Sequence, residues 1–307
     1  MQTRKKVETK SKNNKLIVYL LFVVIALIWG LSFVGIKYTL EDYTPVELLA
    51  VRWGISGFLF IVLALLKIIK VDFRGKPKGT LLLLCLFQPG IYSIFEAAGV
   101  KFATSSESSI FIGAIPLMVV IESFLILRQK VNKKSVVGVT IGFIGLLSCI
   151  CFNDNFATGS AIKGYVFLII AMIAGASYAI TCKKATKYYS TSEITFAMAV
   201  FGGIEFNIIS FVESGFKPYE VFFQGGTVTL AVLYLAILSG MVAYAINNYN
   251  LSRLPAVVAS CVQQNSINLV GVVAGIIINH DQWGWYTVVG LILISLGILL
   301  TTLSDDE

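Results

Sequence analysis

The chain has 307 residues, of which 57% are hydrophobic and only 13% charged, with a formal net charge of +7. Soluble domains are about 45–50% apolar and about 25% charged, so this composition excludes a water-soluble enzyme or binding module and points to one membrane domain with short loops. The excess of basic residues has its ordinary explanation in loops that fix membrane orientation rather than in a nucleic-acid surface, because no basic patch with interleaved aromatics falls on a folded element.

About 20 predominantly apolar residues cross a bilayer core as a helix. The polar tail at 1–15 is followed by ten such runs, at 16–38, 46–69, 80–99, 104–127, 135–152, 163–183, 192–213, 227–249, 255–279 and 284–303. The first is too long for a cleaved signal peptide, and no small-residue cleavage site follows before Lys37. Six basic residues (Arg4, Lys5, Lys6, Lys10, Lys12, Lys15) precede the first run. More cluster after the second (Lys67, Lys70, Arg74, Lys76, Lys78), fourth (Arg128, Lys130, Lys133, Lys134), sixth (Lys183, Lys184, Lys187) and eighth (Arg253). The opposite loops carry only Lys101, Lys163 and Lys217. The positive-inside rule then predicts a multi-pass plasma-membrane protein with both termini cytoplasmic. The acidic end Asp305-Asp306-Glu307 does not oppose this, because acidic residues contribute little to orientation.

The sequence repeats internally. An offset of 146 pairs Tyr19 with Tyr165, Lys37 with Lys183, Glu47 with Glu193 and Gly57 with Gly203. An offset of 152 pairs Tyr92 with Tyr244, Gly138 with Gly290 and Gly145 with Gly297. Each copy, 16–152 and 163–303, holds five runs. An odd number forces the second copy upside-down relative to the first. The expected fold is therefore an all-α membrane protein of ten transmembrane helices in two inverted five-helix repeats. Inverted repeats recur in secondary transporters, whose substrate site lies near the midplane between the copies.

Trp29-Gly30 in the first span, Pro45 and Arg52 around the second, Pro116 in the fourth, and Gly138, Gly142 and Gly145 in the fifth resemble the EamA domain, which occurs twice in ten-helix carriers of the drug/metabolite transporter superfamily. The resemblance spans nearly the whole chain. It implies a central cavity lined mainly by spans three, four, eight and nine with parts of one and six. It also implies transport of amino acids, other metabolites or drugs, often outward. The chain departs from the family pattern at Arg128-Gln129, at His280-Asp281, and at Asn268, which the repeat offset places opposite Pro116.

Polar residues within the spans are the candidate site, because polar groups in a bilayer are costly and usually face a cavity. Gln88, Tyr92 and Glu96 recur every four residues and share a helical face. Pro89-Gly90 beside them loosens that helix. The second copy offers Tyr244 and Asn248, with Asn247 adjacent, and span nine offers Ser260, Gln264 and Asn268, with Gln263 adjacent. Trp29 and Tyr178 complete the expected substrate-binding set: Trp29, Tyr92, Glu96, Tyr178, Tyr244, Asn248, Gln264 and Asn268. Each has a plainer reading, as an interfacial aromatic, a structural ion pair of Glu96 with Lys37 or Arg52, or an amide tying helices together. Lys37, Arg52, Glu47 and Glu107 are read as an outer gate or as headgroup-seeking side chains. Glu96 and Glu122 are candidates for a coupling proton, and Glu205 is a further lone carboxylate.

The cysteines Cys85, Cys149, Cys151, Cys182 and Cys261 lie in apolar runs without metal-ligand spacing and read as packing residues. The sequence holds no zinc-protease, Walker or nucleophile-elbow motif and a single histidine, His280. No catalytic residue, metal site or cofactor is expected. The expected partners are a small-molecule substrate and the lipid bilayer, with a homodimer left open. An intramembrane enzyme and a non-transporting membrane subunit stay as alternatives.

Overall fold

In a computed structural model, the backbone is described for residues 2–128, 133–152, 159–254 and 256–304. Helix α1 (Gln2–Thr39) is followed by α2 (Pro45–Leu65), α3 (Lys78–Cys85), a π-type stretch at Leu86–Ile91, and α4 (Tyr92–Phe102). Next come α5 (Ser105–Gly113), α6 (Ile115–Leu127) and α7 (Lys133–Cys151). The second half runs α8 (Gly159–Ala185), α9 (Thr191–Ser214), the short α10 (Lys217–Phe223), α11 (Gly226–Leu233), a second π-type stretch at Tyr234–Ala243, α12 (Tyr244–Arg253), α13 (Ala256–Ile278) and α14 (Trp285–Ser304). Among the described residues, eight helical runs are long and apolar enough to cross a membrane, and the apolar helices Val136–Cys149 and Trp285–Leu300 complete the ten. Helix α1 reaches back to Gln2, so helical backbone begins within the segment expected as a tail.

Start signals explain where several spans begin. Thr44, Thr104 and Ser190 each cap a helix, with Glu47, Glu107 and Glu193 returning a hydrogen bond to the cap backbone. Two of these boxes are 146 residues apart, so the repeat extends to its caps.

The close contacts carry the inversion. A Cβ on Gly57 would stand 2.8 Å from Ala199 O, and one on Gly203 would stand 3.0 Å from Trp53 O. The 146 offset turns the first contact into the second, with Gly57 exchanging for Gly203 and Trp53 for Ala199. Likewise a Cβ on Gly145 would stand 2.8 Å from Gly290 O and one on Gly297 2.5 Å from Gly138 O, and the 152 offset exchanges these. Contacts that swap partners under the repeat offset define a pseudo-twofold axis. It relates α2 to α9 and α7 to α14.

The lysine pair obeys the same symmetry. Lys37 Nζ donates to Val100 O (3.0 Å), Lys101 O (3.1 Å) and Ala103 O (2.6 Å), closing the C-terminal end of α4. Lys183 Nζ donates to Leu251 O, Ser252 O and Leu254 O at the end of α12. Lys37 is thus a helix cap, not a member of an ion-paired gate. Its cation satisfies carbonyls that have no intrahelical donor and sits at the negative end of the helix dipole. Replacing Lys37 by Met should lower stability by about 2 kcal/mol, read as a lower melting temperature of the purified protein, with Lys37→Arg recovering part of it.

The two π-type stretches also correspond. Residues 86–91 shifted by 152 give 238–243, inside the second stretch. The first contains Pro89, which has no N–H to donate, and Gln88 leaves helical geometry at φ −141°, ψ 116°. In the second, side chains serve the loosened carbonyls. Arg52 Nε donates to Leu235 O, Ser56 Oγ to Ala236 O and Trp29 Nε1 to Ser239 O. Interrupted helices at matching positions of two repeats are where inverted-repeat carriers place their binding sites.

Candidate functional site: a polar cavity between the repeats

A cavity lies between the two repeats, lined by residues of both π-type stretches. The first repeat contributes Trp29, Ser32, Phe33, Arg52, Gln88, Tyr92, Glu96, Ile112 and Ile115. The second contributes Gly175, Tyr178, Ser239, Tyr244, Asn247, Leu251, Ser260, Gln263, Gln264 and Ile267. Its walls are aromatic and aliphatic, with a few placed polar groups, the usual make-up of a small-molecule site. It reaches towards the α12–α13 turn through Leu251 and Ser260.

Tyr244 organises the centre. Its ring packs edge-on against Trp29 at 4.9 Å between centroids and lies 5.6 Å from Trp53, and its hydroxyl accepts a hydrogen bond from Gln88 Nε2. Gln88 also donates to Ser93 Oγ at 3.2 Å. Tyr92 OH donates to Glu96 Oε1 at 2.7 Å, so the expected Gln88, Tyr92, Glu96 face is present although the helix is interrupted at its first member. Gly175 makes room for this cluster, since a Cβ there would stand 3.2 Å from the Tyr92 ring.

Six of the eight expected binding residues therefore line one cavity: Trp29, Tyr92, Glu96, Tyr178, Tyr244 and Gln264. Asn248 does not. It lies behind the wall, fully buried, where its Oδ1 accepts from Tyr178 OH at 2.5 Å and its Nδ2 donates to Thr195 Oγ1 at 2.8 Å. The lining positions on α12 are Tyr244, Asn247 and Leu251, spaced three and four residues apart, so the face turned to the cavity includes Asn247 instead. Asn247 Nδ2 donates to Tyr178 OH at 2.9 Å, which connects the two amides through one tyrosine.

Asn268 is also outside the lining. One turn beyond Gln264, α13 crosses α5, and the Asn268 amide is pressed onto the Cα of Gly113. Glu122 is buried away from the cavity, with Oε2 accepting from Ser177 Oγ at 2.8 Å.

Arg52 departs furthest from its expected place. It is 3% exposed, lines the cavity, and is held by Leu235 O at 3.2 Å through Nε and by Ser239 Oγ at 3.1 Å through Nη2. Lys76 pairs with Glu193 at 2.7 Å, but among the described residues Arg52 and Glu96 form no ion pair, so Arg52 is not a structural salt-bridge partner of Glu96. The sequence signal was present, an arginine seven residues inside an apolar helix, but its position near the helix start read as a gate. Glu107 returns the α5 cap and accepts from Tyr165 OH at 2.5 Å.

On α13, the side-chain oxygens of Gln263 and Gln264 are buried with no donor among the described residues. They are acceptors free for a solute or for water. Of the cysteines, Cys85, Cys149, Cys182 and Cys261 are buried, whereas Cys151 is exposed and so is not a packing residue. Among the described residues no three His, Cys, Asp or Glu side chains gather as a metal site would require.

The model of the EamA-like transporter family matches the chain twice, over residues 16–150 and 162–303. The chain belongs to the EamA-like transporter family. The two matches coincide with the two structural repeats, and the ten-helix architecture is that of the drug/metabolite transporter superfamily. Relatives include the uncharacterized transporter YcxC of Bacillus subtilis (strain 168), 26% identical over 300 residues and covering 96% of each chain. An uncharacterized transporter of Archaeoglobus fulgidus is 28% identical over 284 residues, covering 91% of this chain and 97% of its own. Protein PagO of Salmonella typhimurium is 24% identical over 228 residues, 74% of each. A crystal structure of another protein, 16% identical, superposes with a TM-score of 0.69 over 93% of this chain and 96% of its own, which shows the shared fold. This EamA-like chain is a multi-pass membrane protein of a transporter family.

Proposed function

We propose that the protein is a secondary active transporter that exports small polar or amphipathic metabolites, amino acids among them, from the cytoplasm across the plasma membrane by alternating access. The observation that carries this reading is the placement of a buried carboxylate, Glu96, and four amides (Gln88, Asn247, Gln263, Gln264) around one cavity between inverted repeats. A membrane subunit that only packs helices gains nothing from such a lining, since buried polar groups cost free energy unless they are used. The outward direction follows the family resemblance, and the orientation follows the loop lysines and arginines.

In this reading Trp29, Tyr92, Glu96, Tyr178, Tyr244 and Gln264 touch the solute. Asn248 fixes Tyr178 from behind, and Asn268 holds α13 against α5. A first test is a thermal-shift screen of the purified protein against amino acids, nucleosides, sugar phosphates and cationic drugs. A solute that binds only the folded state raises its apparent stability, by about 2.7 kcal/mol at a hundredfold excess over Kd. A hit abolished by Gln264→Ala and transported by proteoliposomes supports the reading. A protein that moves none of the solutes it binds would sink it.

Coupling to protons is assigned to Glu96 or Glu122. A glutamine at the coupling position mimics the permanently protonated carboxyl, so it should remove the pH dependence of uptake into proteoliposomes. The expected result is a flat pH profile in one of Glu96→Gln or Glu122→Gln. Full pH dependence in both variants would exclude these carboxylates as the coupling site.

A further inference from the structure

Arg52 is a buried cation that forms no ion pair among the described residues. Its guanidinium is held on one side by the Leu235 carbonyl and the Ser239 hydroxyl, both neutral acceptors, while Trp53 lies beneath it at 5.8 Å. Those bonds fix the group without neutralising it. The remaining edge belongs to the cavity lining. Isolated charges are expensive inside a bilayer and are found paired or at a solute path. Glu96 lines the same cavity, yet the two do not form an ion pair. Glu96 instead accepts from Tyr92. One cavity therefore presents an oriented cation and an oriented anion, separate from each other.

We infer that Arg52 is the carboxylate anchor of the transport site, so that the solute carries a carboxylate that pairs with Arg52 and an ammonium that faces Glu96. This rests on the reading of the cavity as the solute site and adds which end of the solute lies where. Guanidinium suits the role because its planar fork matches a carboxylate with two parallel hydrogen bonds. The anchor is built rather than incidental. The second π-type stretch supplies the Leu235 carbonyl, and Ser239, on the same stretch, supplies both the hydroxyl that holds Nη2 and the carbonyl that holds Trp29. The carboxylate end is thereby tied to the interrupted helix of the opposite repeat. The 146 offset places Met198 opposite Arg52, so the second repeat has no such cation and the solute has a single orientation.

The test compares carboxylates with their amides in detergent-purified full-length protein. The probes are the common L-amino acids and small mono- and dicarboxylic acids, each beside its amide, with binding followed by thermal shift and by intrinsic tryptophan fluorescence, to which Trp29 in the cavity contributes. Wild type is expected to bind at least one free acid about a hundredfold more tightly than its amide, the scale on which a buried charge loses its partner. Arg52→Gln should erase that difference. Arg52→Lys, which keeps the cation but not the fork, should keep the preference for the acid at lower affinity. Amides binding wild type as well as their acids would overturn the anchor whatever the variants do. So would a preference for the acid that survives Arg52→Gln, or a wild type that binds none of the carboxylates. If proteoliposomes then transport a solute without a carboxylate, transport stands and only the anchor falls.

Discussion

Replacing Gly297 by valine should collapse the packing of α7 on α14. A Cβ at this position would stand 2.5 Å from Gly138 O, 2.7 Å from Gly142 N and 2.8 Å from Gly142 Cα. All three neighbours are backbone, so no side chain can swing aside, and the helices must separate along their whole contact. Overpacking a well-filled core costs about 1–3 kcal/mol for flexible neighbours. A helix pair held apart by backbone should lose about 3 kcal/mol or more, because packing, not a hydrophobic driving force, holds helices together in lipid. The melting temperature of the purified protein should fall by roughly 5–10 °C. Gly79→Ala is the contrasting substitution. Nothing lies within 4 Å of a Cβ there, so the change should be neutral or slightly stabilising through helix propensity. If Gly297→Val melts like wild type, the α7–α14 crossing is not what keeps this part of the fold together.

That glycine contact also shows how much was legible in the sequence. The pairing of Gly138 with Gly290 and of Gly145 with Gly297 was visible as a repeat, and an odd number of spans per copy required inversion. What the offsets do not reveal is which glycine meets which. Structure shows each contact exchanging into the other, a relation that only three-dimensional packing sets. The candidate site was legible where helical periodicity holds, as for Tyr92 with Glu96 and Ser260 with Gln264. It failed at the interruptions and crossings. The 152 offset points to Asn248 because it stands opposite Glu96, but α12 turns Asn247 to the cavity and Asn248 to Thr195 of α9, a rotation that the offset does not reveal. Asn268 looked equivalent to Gln264 because periodicity cannot tell a cavity wall from a helix crossing. That distinction depends on Gly113, far away in sequence. Arg52 shows that depth along a helix is not depth in the site: the second π-type stretch turns its Leu235 and Ala236 carbonyls onto α2 and brings Arg52 to the cavity.

Removing the carboxylate of Asp281 should open the cavity at the end of the molecule where α4 finishes and α5 begins. The first turn of α5 is fastened there by groups of the other repeat. Asp281 Oδ2 accepts from both Ser106 N and Ser106 Oγ at 2.8 Å, Asn279 Nδ2 donates to Ser105 Oγ at 2.6 Å, and Tyr165 OH donates to Glu107. Gly275 permits the approach, since a Cβ there would stand 2.5 Å from the Asp281 carboxylate. The repeat-related positions of Ser105, Ser106 and Glu107 are Val257, Val258 and Ala259 in the sequence, which carry no polar side chain. The two ends are thus fastened differently, and the cavity extends towards the end without this latch. Hydrogen bonds to a charged acceptor contribute about 1.5–3 kcal/mol each, so losing the pair on Asp281 should move the equilibrium between the two ends by about thirtyfold or more. The measurement is the labelling rate of a cysteine at Ser32, a buried lining residue, in a cysteine-free background with a membrane-impermeant maleimide added on the Asp281 side. Asp281→Ala should speed labelling at least about tenfold, whereas Lys76→Met, which breaks the Lys76–Glu193 ion pair at the opposite end, should not. Equal labelling in wild type and Asp281→Ala would mean that this end is closed by the tight α5–α13 packing alone, in which case Gly271, whose Cβ would collide with Ser109, is the position where opening has to be sought.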